Sequence, residues 1–345
     1  MTSVKNTPLL ASRRSFIKSS AAAVSLLALG ATGSGNAADK PPSKIRLTLP
    51  SKGSAGFVWR TVIEQHLPAS YREGLDLEWI VADPGKMQVQ LAAGSLDVGV
   101  FGAVGLALLN NKGYDISLFG PALNNHGRWL VKADSPYQSP ADLKGKRLAS
   151  QPETSETFQQ ARIASSLTGL DLKKDFKIIL GPPTANLALF ERGDVEGVIV
   201  LEPTATRMVA GGAREIARVG DIWKQATGTQ EDPFLVGLAA ERKWLKANRE
   251  AASRLATLFA AANQLLHDQP QLLTQIHDAF GIAADDAAAI ALLPQRLPSA
   301  YATRWDESVW KVIDKEIDVA VSVGVLERKP VQPIYDGVPL RAGNV

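Results

Sequence analysis

The chain has 345 residues, no cysteine and a formal net charge of +3, with an isoelectric point near 9.0. Zero cysteines exclude disulfides, thiolate metal sites and haem attached through Cys-x-x-Cys-His. The basic balance is local: the first 37 residues carry Lys5, Arg13, Arg14 and Lys18 and no acid, which leaves 34 Lys+Arg against 35 Asp+Glu beyond them. At a net charge of −1, that remainder offers no case for binding nucleic acid or an anionic membrane surface.

Residues 1–37 read as a signal peptide: a basic region, an apolar stretch from Ala21 to Leu29, then small residues up to Gly35-Asn36-Ala37. The stretch is too short to span a bilayer, which takes about 20 residues. Ser12-Arg13-Arg14-Ser15-Phe16-Ile17-Lys18 matches the twin-arginine pattern, an address read by a translocase rather than an anchor. No cysteine follows it, so the expected product is a periplasmic protein without a lipid anchor. The remaining stretch, about 308 residues, exceeds the size at which a single core usually stops growing, so two lobes are expected.

Ala38 to Lys44 reads as a leader. Strands and helices then alternate as in a parallel sheet with crossover helices. Strands are expected at Ile45–Leu49, Leu75–Val81, Val98–Phe101, Trp129–Lys132, Arg147–Ala149, Lys177–Leu180, Val195–Val200 and Phe234–Ala239. Helices are expected after Pro50-Ser51-Lys52-Gly53-Ser54 to about Gln65, from Asp83-Pro84-Gly85 to Ala93, and over Ala103–Asn110. Ser139-Pro140-Ala141-Asp142 reads as a capped helical turn. From Glu241 the pattern changes to long amphipathic helices, the last over Ser308–Val323.

A faint internal repeat supports two equivalent lobes. Leu91-Ala92-Ala93-Gly94-Ser95-Leu96-Asp97 resembles Phe190-Glu191-Arg192-Gly193-Asp194-Val195-Glu196, and each glycine stands ten residues after a proline, Pro84 or Pro183. Both read as a helix stopped by glycine, a turn with an acid, and a buried strand.

Leu91–Gly99, Ser139–Ala149 (Ser-Pro-Ala-Asp-Leu-Lys-Gly-Lys-Arg-Leu-Ala), Gly193–Val198 and Glu202-Pro203 resemble, in order and spacing, the periplasmic substrate-binding proteins of ABC importers. The resemblance is to the aliphatic-sulfonate, taurine, nitrate and thiamine-precursor binding group and covers residues 44 to 262. It implies an α/β, two-lobe periplasmic-binding-protein fold (type II-like), each lobe a mainly parallel sheet flanked by helices. Lobe one would comprise residues 38–127 and 235–345, and lobe two residues 128–234. Its implied partners are a small-molecule ligand held between the lobes and a membrane permease with its ATPase subunit. The protein is expected to be a monomer, with no cofactor, metal or catalytic residue.

In such sheets ligands sit beyond the carboxyl ends of strands, where helix N-termini favour anions. Four turns qualify. Ser51, Lys52, Gly53 and Ser54 offer hydroxyls, a charge and a close backbone approach. Phe101 and Gly102 offer an apolar wall and another close approach. Thr154, Ser155 and Thr157 offer hydroxyls where the family often has Gly-Ser, and equally read as helix caps. Glu202, where the family often places a carboxylate or aromatic, would pair with a ligand cation, or simply be solvated in a first helical turn. Such a carboxylate disfavours a purely anionic ligand unless a lysine or arginine neutralises it. Trp59 and Trp129 read as core or as pocket walls.

Enzyme classes have little support. The mature chain has no Gly-x-Gly-x-x-Gly after a strand and no Gly-x-Ser-x-Gly elbow, and His66, His126, His267 and His277 show no metal-ligand spacing. The alternatives are a ligand sensor and an enzyme on the same fold. Of the latter, thiamine-pyrimidine synthases depend on His and Cys residues absent here.

Overall fold

The computed structural model describes residues 44–82 and 84–341; the predicted signal peptide lies outside them. Strand β1 (Lys44–Leu49) leads through a short helical stretch containing α1 (Val58–Thr61) to β2 (Asp76–Val81), α2 (Pro84–Ala92), β3 (Gly99–Phe101) and α3 (Ala103–Asn111). Then come β4 (Ile116–Asn124), β5 (Gly127–Val131), β6 (Arg147–Ser150), α4 (Glu156–Leu167), β7 (Lys177–Leu180), α5 (Pro183–Arg192) and β8 (Gly197–Leu201). Helix α6 (Thr204–Ala210), β9 (Arg214–Arg218), α7 (Val219–Thr227) and β10 (Phe234–Glu241) precede a helical run. That run is α8 (Arg242–Ala247), α9 (Arg249–Asp268), α10 (Leu272–Gln275), α11 (Ala287–Arg296) and α12 (Glu307–Ser322).

The strands form three sheets: β1-β2, β3-β10-β4 and β7-β6-β8-β5-β9. The pair β1-β2 and the trio β7-β6-β8 are parallel, as helical crossovers require. Strands β10 and β5 run antiparallel to their neighbours, because they enter their sheets without a crossover helix. The five-stranded sheet draws all its strands from residues 127–218, while β10 inserts between β3 and β4 from more than 100 residues downstream.

The largest apolar cluster joins β1–β4 to β10 and the helices from α8 onward, including Leu47, Trp59, Phe119, Leu238 and Phe259. Two smaller clusters coat opposite faces of the five-stranded sheet. Trp129, Val131 and Ile199 face one and Leu130, Val198 and Val200 the other, as the two-residue period of a strand dictates. With both faces covered, β8 is a continuous apolar run, Gly-Val-Ile-Val-Leu. Trp59 and Trp129 are core residues, both fully buried; the Trp59 indole N–H donates to Asn263 Oδ1 at 2.9 Å.

Two strands are not apparent from sequence pattern. Strand β4 contains Gly120-Pro121, and proline removes a ladder donor. The structure accommodates it at a register shift opposite Gly237. Glycine is needed on both sides there: a Cβ on Gly237 would lie 2.6 Å from the Gly120 carbonyl oxygen, and one on Gly120 2.9 Å from Ala256 Cβ of α9. Strand β9, Arg-Glu-Ile-Ala-Arg, is an edge strand whose charges mask its pattern.

The internal repeat has a physical counterpart. Helices α2 and α5 are each followed by a left-handed glycine, Gly94 (φ +67°) and Gly193 (φ +76°). The acid three residues on binds the arginine near the start of its unit's first strand. Asp97 accepts from the Arg46 backbone N–H at 2.8 Å and from its guanidinium at 2.7 Å. Glu196 accepts from Arg147 in the same way, at 2.8 Å for both. The unit β1-β2-α2-β3 is thus repeated as β6-β7-α5-β8.

The C-terminal segment closes over the three-stranded sheet. Leu118 of β4 donates its N–H to the Ile334 carbonyl at 2.8 Å and accepts from Asp336 at 2.7 Å.

Candidate functional site

The four strand-to-helix turns differ in what their polar groups face. In the turn after β1, Ser51 and Lys52 are exposed. The Lys52 ammonium lies 2.7 Å from both oxygens of Asp278 and holds that carboxyl below the usual carboxylate range. Gly53 (φ +93°) occupies the left-handed region and donates its N–H to the Ala279 carbonyl at 3.1 Å. The Ser54 hydroxyl donates to the Ser51 carbonyl at 2.7 Å. The hydrogen bonds of this turn therefore close on itself and on residues 278–279.

After β3, Phe101 is a core residue and Gly102 forms the N-cap of α3. This N-terminus is occupied. Glu156, the first residue of α4, reaches across and accepts from the backbone N–H of Gly105 at 3.0 Å (Oε2) and of Val104 at 3.3 Å (Oε1). A Cβ on Gly102 would stand 2.1 Å from the Glu156 Cδ, so only glycine admits the carboxylate here. The structure thus brings together two predicted turns, Phe101-Gly102 and Thr154–Thr157, through a residue lying between the predicted ones.

In the second of these turns Thr154 is exposed. Ser155 caps α4, accepting from the Phe158 N–H at 3.2 Å, and Thr157 is buried. The Glu156 carboxylate also accepts from Gln160 Nε2 at 3.2 Å. The same amide donates to Glu316 Oε2 of α12 at 3.1 Å, while Glu316 Oε1 accepts from the Phe234 N–H at 2.5 Å. Burial raises the Glu156 carboxyl to about 6, although the three hydrogen bonds it accepts pull the other way. Glu316, fully buried and beside Glu156, is pushed well above the carboxylate range. Among the described residues Glu156 forms no ion pair.

After β8, Glu202 is only 2% exposed and lies inside an arginine cluster. Its Oε2 accepts from the Thr206 N–H (2.9 Å) and hydroxyl (2.6 Å), capping α6, while its Oε1 is 2.7 Å from Arg296 of α11. The same Arg296 nitrogen binds Glu215 Oε2 at 2.7 Å, and Arg218 binds Glu215 Oε1 at 2.6 Å. The Arg128 Nε stands 3.4 Å from Glu202 and 3.5 Å from Glu215. Burial would raise Glu215, but the hydrogen bonds from Arg218 and Arg296 outweigh it and hold the carboxyl low. Three guanidiniums around two carboxylates neutralise Glu202. The repulsion it would exert on an anion is therefore removed.

Sequence reasoning passed over Arg296, which stands 94 residues from Glu202 in a region readable only as helical. Nor does spacing single out Glu156, which stands between two predicted residues; the glycine at 102 is the available signal. His126, at the β4–β5 junction, is fully buried, which lowers it to about 4 and keeps it neutral; its Nδ1 is 2.8 Å from the Asn124 carbonyl. Beside that junction a cavity of about 90 Å³ is lined by Asn124, Asp232, Phe234 and Arg304. A larger one, about 420 Å³, lies by Lys132, Phe190 and Arg207. None of the predicted site residues lines either. Among the described residues no group of three or more His, Asp or Glu side chains could hold a metal ion, and no helix is long and apolar enough to cross a membrane.

Flanking helices, parallel crossover units, and a second sheet joined through antiparallel strands define a periplasmic-binding-protein fold. The NMT1-like family model matches residues 62–276, more than half of the chain, and the protein belongs to that family. In fold it is similar to the periplasmic aliphatic sulphonate binding protein SsuA from Escherichia coli. That match has a TM-score of 0.67 at 18% identity, covering 88% of this chain and 96% of the other. It is equally similar to the alkanesulfonate-binding protein SsuA from Xanthomonas axonopodis pv. citri bound to MOPS, with a TM-score of 0.67, 19% identity, and coverage of 86% and 99%. An enzyme shares the fold: the desulfurization enzyme DSZB matches with a TM-score of 0.57 at 13% identity, covering 84% and 94%. No curated protein sequence matches the chain.

Proposed function

We propose that the protein is the extracytoplasmic solute-binding component of an ABC importer, exported by the twin-arginine route. It captures a small organosulfonate-like or related solute, such as taurine or nitrate, between two lobes and hands it to a permease. The lobes are residues 38–127 with 235–345, and residues 128–234. The observation that carries this reading is the meeting of the two sheets at strand-to-helix turns, where Gly102 of one unit receives Glu156 of the other. A solute bound among these turns touches both lobes. It therefore favours their closed arrangement over the open one, without covalent chemistry.

Of the predicted ligand residues, Ser51, Lys52 and Thr154 are exposed enough to meet a solute, and Ser155 and Ser54 lie half-buried beside them. Gly53 serves through its left-handed turn, and Gly102 by admitting the Glu156 carboxylate. The buried Phe101, Thr157 and Glu202 act on the ligand by positioning their turns.

The test is a thermal-shift screen of the purified protein with taurine, alkanesulfonates, nitrate, bicarbonate and thiamine precursors. A true ligand at 100 times its dissociation constant adds about 2.7 kcal/mol and raises the melting temperature by a few degrees. A flat response to the whole panel would sink the assigned solute class.

A further inference from the structure

We infer that Glu156 is a specificity-determining residue: its carboxylate is a built-in anion in the seat at the N-terminus of α3, and it keeps the oxyanion of a solute out of that seat. The inference rests on the reading of the interlobe site given above and says which end of a solute can face α3. Backbone N–H groups at a helix start suit a sulfonate, nitrate or carboxylate. Here those of Val104 and Gly105 are already bound to Glu156, at 3.3 and 3.0 Å.

The seat is shaped around this side chain rather than around a vacancy. Gly102 has no Cβ where one would strike the Glu156 carboxyl carbon at 2.1 Å, and Gln160 holds the same carboxylate from behind while reaching the buried Glu316. Among the described residues Glu156 pairs with no cation, in contrast to Glu202 among its arginines. An incoming oxyanion would meet an occupied and uncompensated negative site. Discrimination by repulsion is as effective as discrimination by fit.

A carboxylate oxygen accepts two hydrogen bonds. Oε2 takes one from Gly105, which leaves it a place for a donor. The group that a solute turns towards α3 is therefore a hydrogen-bond donor such as an ammonium, and any sulfonate it carries lies at the opposite end. An amino-sulfonate fits that polarity; a plain alkanesulfonate does not.

The experiment compares the full chain with its Glu156→Ala and Glu156→Gln variants. Melting is followed in sodium methanesulfonate or sodium acetate against sodium chloride at equal ionic strength. The expected result is stabilisation of E156A by several degrees, less for E156Q, whose neutral amide is a weaker occupant, and none for the wild type. Isothermal titration should show at least a tenfold gain in methanesulfonate affinity in E156A. If E156A does not fold, the order of E156Q over wild type carries the same test. Equal responses in all three proteins, or tighter methanesulfonate binding by the wild type, would overturn the inference. Its failure is separable from that of the transport reading. If no solute of any class shifts the wild type but acetate still rescues E156A, the role of Glu156 stands and the binding function falls. If a plain alkanesulfonate binds the wild type, and no better in E156A, the reverse holds.

Discussion

The two repeated units solve one problem in two ways. Helix α3 after β3 and helix α6 after β8 each begin at a turn that exposes unpaired N–H groups, and each is capped by a carboxylate of the protein itself. For α6 the carboxylate is local, Glu202, and three arginines surround it and its neighbour Glu215. For α3 it arrives from another helix, as Glu156, with no cation beside it among the described residues and with a buried acid, Glu316, behind Gln160. The first arrangement is fully compensated and serves structure. The second carries a raised pKa, which is where functional groups concentrate.

The largest expected effect comes from breaking the compensated side. Arg296→Met removes the guanidinium shared by Glu202 and Glu215 and leaves the buried Glu202 underpaired, which typically costs about 3–5 kcal/mol. Urea unfolding should report that loss, and a loss under 1 kcal/mol would show that Arg128 and Arg218 suffice. On the other side, Gly102→Ala forces a methyl group into Glu156 and should cost about 1–3 kcal/mol. The double variant Gly102→Ala/Glu156→Ala should recover part of it; strict additivity would mean that the two residues do not couple.

Next comes pH. The folded-state value of Glu156, about 6, lies above the unfolded 4.5. The native protein thus binds the proton more tightly, and this contribution is fully present below pH 4.5 and lost as pH rises through 6. The expected fall is about 2 kcal/mol. Glu316 is raised as well and extends the fall to higher pH. Glu316→Gln should remove the part of the fall that lies above pH 6, and an unchanged profile there would place that titration elsewhere. Smallest of all, Lys52→Ala breaks an exposed pair with Asp278 and should leave the urea midpoint almost unchanged.

Much of the chain was legible because its punctuation is local. The Pro84 and Pro183 helix starts, the Gly94 and Gly193 stops and the acids beyond them are each decided by a few adjacent residues, and the structure follows them. Strand β4 was hidden because Gly120-Pro121 contradicts strand chemistry until Gly237 and Ala256 are seen against it. The turns predicted for the site exist, yet their side chains could not be assigned from spacing. Lys52 found Asp278, Glu202 found Arg296, and Gly102 found Glu156, at separations that no local pattern encodes. Local rules say where a helix begins. They do not say which distant group fills its open end.

The placement of β10 bears on how the molecule is made. A chain emerging from the ribosome can complete the five-stranded sheet once residue 218 is out, since all its strands are by then present. The three-stranded sheet has no middle until Phe234–Glu241 emerges, and β4 gains the pairing partners Ile334 and Asp336 only once residues 334–336 have followed. During that interval β3 and β4 have each other's company but no hydrogen bonds between them, a period in which a nascent chain is open to misassembly. A truncation before residue 234 should therefore yield one finished half and one sticky one, whereas removing residues from 334 onward should open the seam along β4 and take Ile334 and Val338 out of the core.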